Sequence, residues 1–396
     1  MHILFVSHEY FDDDLPSSGG IGHFIFGLSK VLVEKGHQVT VMGYSSRSLK
    51  KKVRGVQLIF FKSWLSNFQK VYNFLERILH FVGLSSWLIP FLSIDRKRLA
   101  KEVKNYIKKG KVDLIELNDY LGDGAYLTVD IPCIIRSHGS YTMLHNEAGF
   151  RMNKAFMYFE RLQAKKVRKG LGVSNFSSEM LRKYFQLEDV QTMYNGLELK
   201  QYDYSRVFDF QRIFYFGTLS EAKGMDRLVT TFNTLVQKHP QLKLFIAGKV
   251  KSYFEEVMYP TFSEEAKKQV EFLGYLNKTE LIQEIGNSSL VFFPSRIENF
   301  SLSLLEAMAC ARMAVCWDIS AFREVIVDHQ NGFVVKDVDQ AVEVISNILT
   351  KKQELQRISD NARITIEDHF TWDKISTENI AYYKACIGEN GTKINR

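Results

Sequence analysis

The 396-residue chain is 45% hydrophobic and 24% charged with only six prolines, which excludes a disordered chain, a collagen repeat or a disulfide scaffold as a description of the whole. One core rarely supports that length, and roughly 150 residues per domain predicts two domains. The formal charge of +7 is uneven: residues 1–200 hold 29 Lys and Arg against 19 Asp and Glu, and the remainder 23 against 26, so an anionic partner is sought in the front half.

In chain order, "HILFVSHEY" (2–10) reads as a buried strand, without the basic n-region of a signal peptide. "GIGHFIFGLSKVLVEKG" (20–36) has helical apolar spacing, and "HQVTVMGY" (37–44) is β-branched again, which makes a βαβ unit. Further strands are predicted at 55–61, 112–118, 132–139 and 171–175, separated by helix-length segments. Strands that alternate with helices imply a doubly wound parallel sheet. The irregular stretch 197–210 is the expected linker. From 211 a second sheet of the same class follows, with strands in "QRIFYFG", "LKLFIAG", "VEFLGYL", "SLVFFPS", "MAVCWD" and "NGFVV". The domains expected are 1–200, 201–368 and a helix 369–396 packing back on the first domain. Four cysteines without a CxxC pair, and no His at zinc spacing, point to a reduced compartment and to no metal site.

Residues 65–94 stand apart. Leu65, Phe68, Tyr72, Leu75, Leu79 and Val82 recur at three- and four-residue steps, an amphipathic helix. The uncharged stretch 78–94 contains Gly83, two serines and Pro90, and it falls short of the ~20 apolar residues of a membrane span. With "DRKRLAKEVKNYIKKGK" behind it, the 65–111 region either lies on an anionic membrane surface or caps the first domain's own core. No nucleic-acid motif is present.

Four places sit where strands give way to helices, the edge at which ligand crevices form in such sheets. "SSGGIGH" (17–23) suits an anion on backbone amides, although its spacing is not that of a dinucleotide fingerprint. His138 ends the strand in "IIRSHG", and Lys223 in "GTLSEAKGMDRL" can neutralise a phosphate as a point charge. In "PSRIENFSLSLLEAMA" a strand ends at Pro294 and a helix begins near Ser301, leaving the amides of Phe300, Ser301 and Leu302 as donors for a diphosphate. Glu298 and Glu306 flank that start and could accept hydrogen bonds from sugar hydroxyls and a ribose diol. A capping box between Ser303 and Glu306 fits the same residues.

These residues resemble the retaining nucleotide-sugar glycosyltransferases of the GT-B fold, in the family-four group of bacterial hexosyltransferases. The resemblance runs nearly end to end and is carried above all by the E-x7-E spacing in "FFPSRIENFSLSLLEAMAC", with "GVSNFSSEMLRKYF", "FGTLSEAKGMDRLV" and "FLGYLNKTEL". It implies two Rossmann-like doubly wound parallel-sheet domains facing across a cleft, an acceptor-binding one first and a donor-binding one second. By position, Glu298 would contact the transferred sugar and Glu306 the ribose. Lys223, the amides of Phe300, Ser301 and Leu302, and the loop at Gly19 and Gly20 would hold the diphosphate. His138 would face the sugar, and Gly274, Tyr275 and Leu276 would border the base; Thr218 and Asn299 complete the donor set. The donor would be a UDP- or GDP-sugar, used without metal or cofactor. The acceptor would be a glycan or lipid-linked molecule, and the protein cytoplasmic, peripheral at the membrane's inner face. Thr218 and Ala222 stand where the family has an arginine and a glutamate, and Ala311 and Met313 where it has Gly and Pro. The first pair keeps open a catalytically silent partner of another transferase.

Overall fold

The computed structural model describes residues 1–16, 19–202, 209–250, 252–350 and 352–394; Ser17 and Ser18 of the glycine loop and 203–208 of the expected linker lie outside them. The chain divides into two compact units, Met1–Gly196 with Trp372–Arg396, and Leu197–Thr371. The chain thus leaves the first unit near 196 and re-enters it at 372, a few residues from the expected boundaries at 200 and 368.

The first unit is built on an eight-stranded sheet. Its strands are β1 (His2–Val6), β2 (Gln38–Ser45), β3 (Leu49–Val53), β4 (Val56–Lys62), β5 (Leu114–Asn118), β6 (Cys133–Ser137), β7 (Lys169–Gly172) and β8 (Asp189–Thr192), in the order β3-β4-β2-β1-β5-β6-β7-β8. All neighbours pair in parallel except β3 with β4. Alternation along β1 shows why the centre is apolar on both sides. Ile3 and Phe5 face a cluster with Phe24, Leu28 and, from the helix Trp372–Ile394, Tyr383; Leu4 and Val6 face Leu99 and Val103.

The sequence reading lacks β3 and β8. β3, "LKKKV", has no apolar run; its lysines mark an edge strand that water can wet. It turns into β4 through Arg54 and Gly55, both at positive φ (49° and 86°), so that Val53 faces Val56 as in a tight two-residue hairpin. β8 is a four-residue edge strand, too short for periodicity to register.

The second unit carries a six-stranded parallel sheet of β9 (Asp209–Phe216), β10 (Lys243–Ala247), β11 (Val270–Gly274), β12 (Ser288–Phe293), β13 (Met313–Trp317) and β14 (Phe333–Val335). Their order is β11-β10-β9-β12-β13-β14. Ile213, Tyr215, Leu290 and Phe292 pack on Leu228, Phe232 and Leu235 of the helix Met225–Lys238. In each unit strand order reverses once, between β1 and β5 in the first and between β9 and β12 in the second. Chain leaving two such neighbouring strands diverges to opposite faces and opens a crevice at their carboxyl ends.

Segment 65–109 corrects the single amphipathic helix. It forms a 3-10 turn Leu65–Phe68, a helix Gln69–Phe81, a second 3-10 turn Ser85–Leu88 and a helix Ile89–Lys109. Leu65, Tyr72 and Leu79 do pack on a small core around Phe159. Phe68, Leu75 and Val82, expected on the same stripe, are exposed. No helix among the described residues is long and apolar enough to cross a membrane.

Candidate functional site

The second unit's crevice is made by the chain after β9 and after β12. Past β9, a short 3-10 turn Glu221–Lys223 ends at Gly224, whose φ of 68° starts the next helix. A Cβ on Gly224 would lie 2.0 Å from the Pro294 carbonyl oxygen, so only glycine lets this turn rest on the loop after β12. The two loops are further tied by the Arg296 amide, which donates to the Ala222 carbonyl at 2.9 Å, and by Arg227, whose guanidinium donates to the Pro294 and Ser295 carbonyls. Lys223 and Glu298, 75 positions apart, are thereby brought into an ion pair, and Ser295 donates to the same carboxylate oxygen at 2.9 Å. Lys223 is about one-third exposed and Glu298 mostly buried.

The helix Leu302–Ala309 starts at Ser301, whose hydroxyl accepts from the Leu304 amide at 3.2 Å. The cap is therefore Ser301, and the alternative box between Ser303 and Glu306 does not form. Glu306 instead faces Lys278 and Tyr202: Lys278 donates to Glu306 and to the Tyr202 hydroxyl, and Tyr202 donates to Glu306 at 3.2 Å. Burial, with the Glu306 charge beside it, raises the Tyr202 phenol far above its ordinary range, which keeps it a donor. Both carboxylates predicted from the motif are thus held by a lysine. Thr218 follows Gly217, and the Tyr215 hydroxyl donates to its carbonyl at 3.0 Å. Asn299 and Phe300 lie between Glu298 and the helix start.

Gly217, Gly248 and Gly274 end β9, β10 and β11 at φ of 145°, 147° and 68°. The Gly217 amide donates to the Ala247 carbonyl and the Gly248 amide to that of Gly274, making a side-chain-free ledge along the sheet's carboxyl edge. Tyr275 projects from its end, 72% exposed, as a ring face on which a planar group can stack, and Leu276 is half-buried. A ledge that lets a ligand approach the backbone, with two acids, Lys223 and a helix start beside it, matches the polar parts of a diphosphate and its flanking rings.

In the first unit, Asp119 fixes the turn that carries His138: its carboxylate accepts from the Ser137 hydroxyl at 2.7 Å and from the His138 amide at 2.8 Å. The His138 ring lies 4.7 Å from that of Phe24, whose face the Arg136 guanidinium covers at 4.8 Å. Burial, and then the Arg136 charge, lowers His138 to about 3, so it is a neutral imidazole at pH 7. Gly19 behaves otherwise than the sequence suggests. The Glu9 carboxylate accepts from the Gly19 amide at 2.9 Å and the Gly22 amide at 3.3 Å, so this helix start already holds a protein anion.

Sequence reasoning missed Lys278, Tyr202 and Ser295 in one unit and His8, Glu9, Asp119 and Asp123 in the other. His8 Nδ1 donates to the Asp123 carboxylate at 2.7 Å, to which the Tyr44 hydroxyl also donates at 2.6 Å. Burial disfavours the His8 charge, but Asp123 outweighs it and raises the imidazole. "LNKTE" does announce a helix start, and the Asn277–Glu280 capping box forms, yet nothing local in it points to Glu306. Among the described residues no group of three or more His, Cys, Asp or Glu side chains could hold a metal ion.

The family described as "Glycosyl transferases group 1" matches residues 207–365, and "Glycosyltransferase Family 4" matches 18–201. An uncharacterized glycosyltransferase of Methanocaldococcus jannaschii is 26% identical over half of this chain and 55% of its own length. The phosphatidylinositol N-acetylglucosaminyltransferase gpi3 subunit of Schizosaccharomyces pombe is 21% identical over 96% of the chain and 80% of its own length. Among solved structures, the sucrose-phosphate synthase of Thermosynechococcus elongatus superposes with a TM-score of 0.79 at 16% identity, covering 98% of this chain and 99% of its own. The HepE protein of Anabaena, in complex with UDP and glucose, gives 0.71 at 16% identity over 97% of this chain and all of its own.

Proposed function

The chain belongs to the group 1 glycosyltransferases of the GT-B fold, and from that premise we propose that it moves a hexose-type sugar from a nucleoside diphosphate sugar to a glycan, lipid-linked or other polysaccharide-pathway acceptor. The observation that carries this reading is the pairing at one crevice of Lys223 with Glu298 and of Lys278 with Glu306, on either side of the helix start at Ser301. Each acid is held in place by a cation until a hydroxyl-rich ligand takes its hydrogen bonds. A diphosphate arriving at the helix start would draw Lys223 from Glu298, freeing that carboxylate for the sugar and leaving Glu306 to the ribose. Helix amides and Lys223 then face the charge that grows on the departing diphosphate, and removal of one such preorganised donor typically slows turnover on the order of 10²-fold or more.

We read the transfer as metal-independent and retaining, with the leaving phosphate assisting as base, so that neither glutamate serves as nucleophile. The likeness of the fold to a UDP-and-glucose complex supports UDP over GDP as the first donor to test. A lipid-bearing acceptor agrees with the name of the fission-yeast relative and with an anionic membrane surface as partner of residues 65–111, at the inner face of the membrane. Screening UDP- and GDP-sugars for thermal stabilisation identifies the donor, since a ligand of the folded state raises apparent stability. Lys223→Ala and Glu306→Gln should abolish donor turnover; full activity in both would sink the assignment.

One observation favours a second reading. Thr218 and Ala222 leave the crevice without the cation and acid that the resemblance implies there, which fits a silent nucleotide-sugar or glycan-binding partner of another transferase. Tight UDP-sugar binding without turnover on a broad acceptor panel would select it.

A further inference from the structure

Twelve of the 21 exposed large hydrophobic residues among those described fall between Trp64 and Ile94, so the exposed apolar surface is concentrated on one short segment of the first unit. On the helix Gln69–Phe81, Val71, Phe74, Leu75, Ile78 and Phe81 follow i, i+3, i+4, i+7 and i+10 spacing, on a flank that adjoins the core-packed Tyr72 and Leu79 and extends the apolar arc beyond them into solvent. The core takes only one edge of this wide apolar arc, and a helix in water has no use for the rest. Phe81 and Trp87 are 79% and 68% exposed. Monomeric proteins rarely leave so contiguous a patch uncovered unless something docks on it.

Charge says what docks. Residues 65–111 hold ten Lys and Arg against three Asp and Glu. Along the exposed side of the helix Ile89–Lys109, Phe91 and Ile94 in the first turns give way to Lys97, Lys101, Lys104 and Lys108, which line one groove over Tyr126. Beside the apolar face lies a cavity of about 360 Å³ whose lining includes His80, His145, Arg151, Lys154, Tyr158 and Arg161, with no acidic residue. The cavity is continuous with that face: the Arg151 guanidinium donates to the Phe81 carbonyl at 2.6 Å, and the Lys154 amide donates to the Ser85 hydroxyl at 2.9 Å. Among the described residues none of Arg151, Lys154 and Arg161 makes an ion pair. Three cations without an ion-pair partner among the described residues border a space that admits a phosphate group, at the edge of a surface suited to acyl chains.

We infer that this face seats the protein on a bilayer of anionic phospholipid, with Phe81 and Trp87 in the acyl boundary, the lysine row at head-group level, and one lipid phosphate in the pocket of Arg151, Lys154 and Arg161. The inference rests on the membrane part of the proposed function and is independent of the donor crevice, which lies in the other unit.

Co-sedimentation tests it, with vesicles of phosphatidylcholine alone and of phosphatidylcholine mixed with phosphatidylglycerol. Wild type is expected to bind the mixed vesicles and to bind them less as salt rises. Lys154→Gln combined with Arg161→Gln, which keeps the Arg151 contact, should weaken that binding at least about tenfold, the loss of two charges near an anionic surface. Phe81→Ser with Trp87→Ser should abolish binding to the mixed vesicles. Unchanged stabilisation by UDP-sugar in each variant shows that the chain remains folded. If the pocket variant binds mixed vesicles as wild type does, the phosphate site falls while the membrane reading stands. If wild type binds neither vesicle, both fall, whatever the donor assays give. Equal stabilisation by inorganic phosphate without any vesicle binding would reduce the pocket to an anion site and overturn the lipid assignment.

Discussion

Gly224 shows how much of the crevice depends on one missing side chain. A left-handed residue placed 2.0 Å from a carbonyl, where a Cβ would sit, combines backbone strain with a clash. Gly224→Ala is expected to cost at least about 2 kcal/mol in urea unfolding and to abolish stabilisation by UDP; a variant as stable as wild type would show that the two loops do not rest on each other. Ala311, by contrast, holds φ of 49° where the resemblance implies glycine, so the turn after the signature helix persists without it. His138 makes a prediction about pH. Unfolded, it protonates near 6.5; folded, burial and Arg136 delay protonation to about 3. Between those values the unfolded chain binds more protons, so the fold loses stability as pH falls through that window. The stability difference between wild type and His138→Gln should therefore shrink on acidification from pH 6.5. A difference constant down to pH 4 would mean that His138 is not held neutral.

At the scale of elements, the C-terminal helix Trp372–Ile394 completes the first unit from within its core. Arg136 on β6 is fully buried against Glu116 on β5, and Asn379 and Tyr383 of the helix supply its remaining partners: Arg136 donates to Asn379, and the Tyr383 hydroxyl donates to Glu116. Removing one member of a buried pair costs about 3–5 kcal/mol, whereas replacing both by apolar residues is often neutral. Glu116→Leu should thus lower stability by about that much, and Arg136→Met on top of it should restore most of the loss. If the double variant were no more stable than the single one, packing would matter here and not the orphaned charge. The same cluster lies under Phe24 and His138, so its integrity bears on the imidazole's setting.

For the whole molecule, two separate sheets imply that a ligand of one leaves the other's hydrogen exchange untouched. UDP is expected to slow amide exchange in 217–224, 274–278 and 298–306, on the carboxyl edge of the second sheet, and not in β1–β8. Protection confined to the first unit would remove the donor crevice from the second.

The sequence by itself determined the architecture, because a parallel sheet covered on both faces needs apolar runs spaced by helices, and those runs are local patterns. It also singled out Lys223, Glu298 and Glu306 as candidates, because loop-to-helix junctions announce themselves through Gly, Pro and Ser. Only the tertiary structure decided what each of these touches. Lys278 and Tyr202 reach Glu306 across 28 and 104 positions, and Glu9 claims the glycine-loop amides, because strand order and not sequence distance sets which loops adjoin. The exposed part of the apolar arc of residues 71–82 was likewise invisible: periodicity finds a stripe, but only packing shows which part of it the core takes and which is left outside.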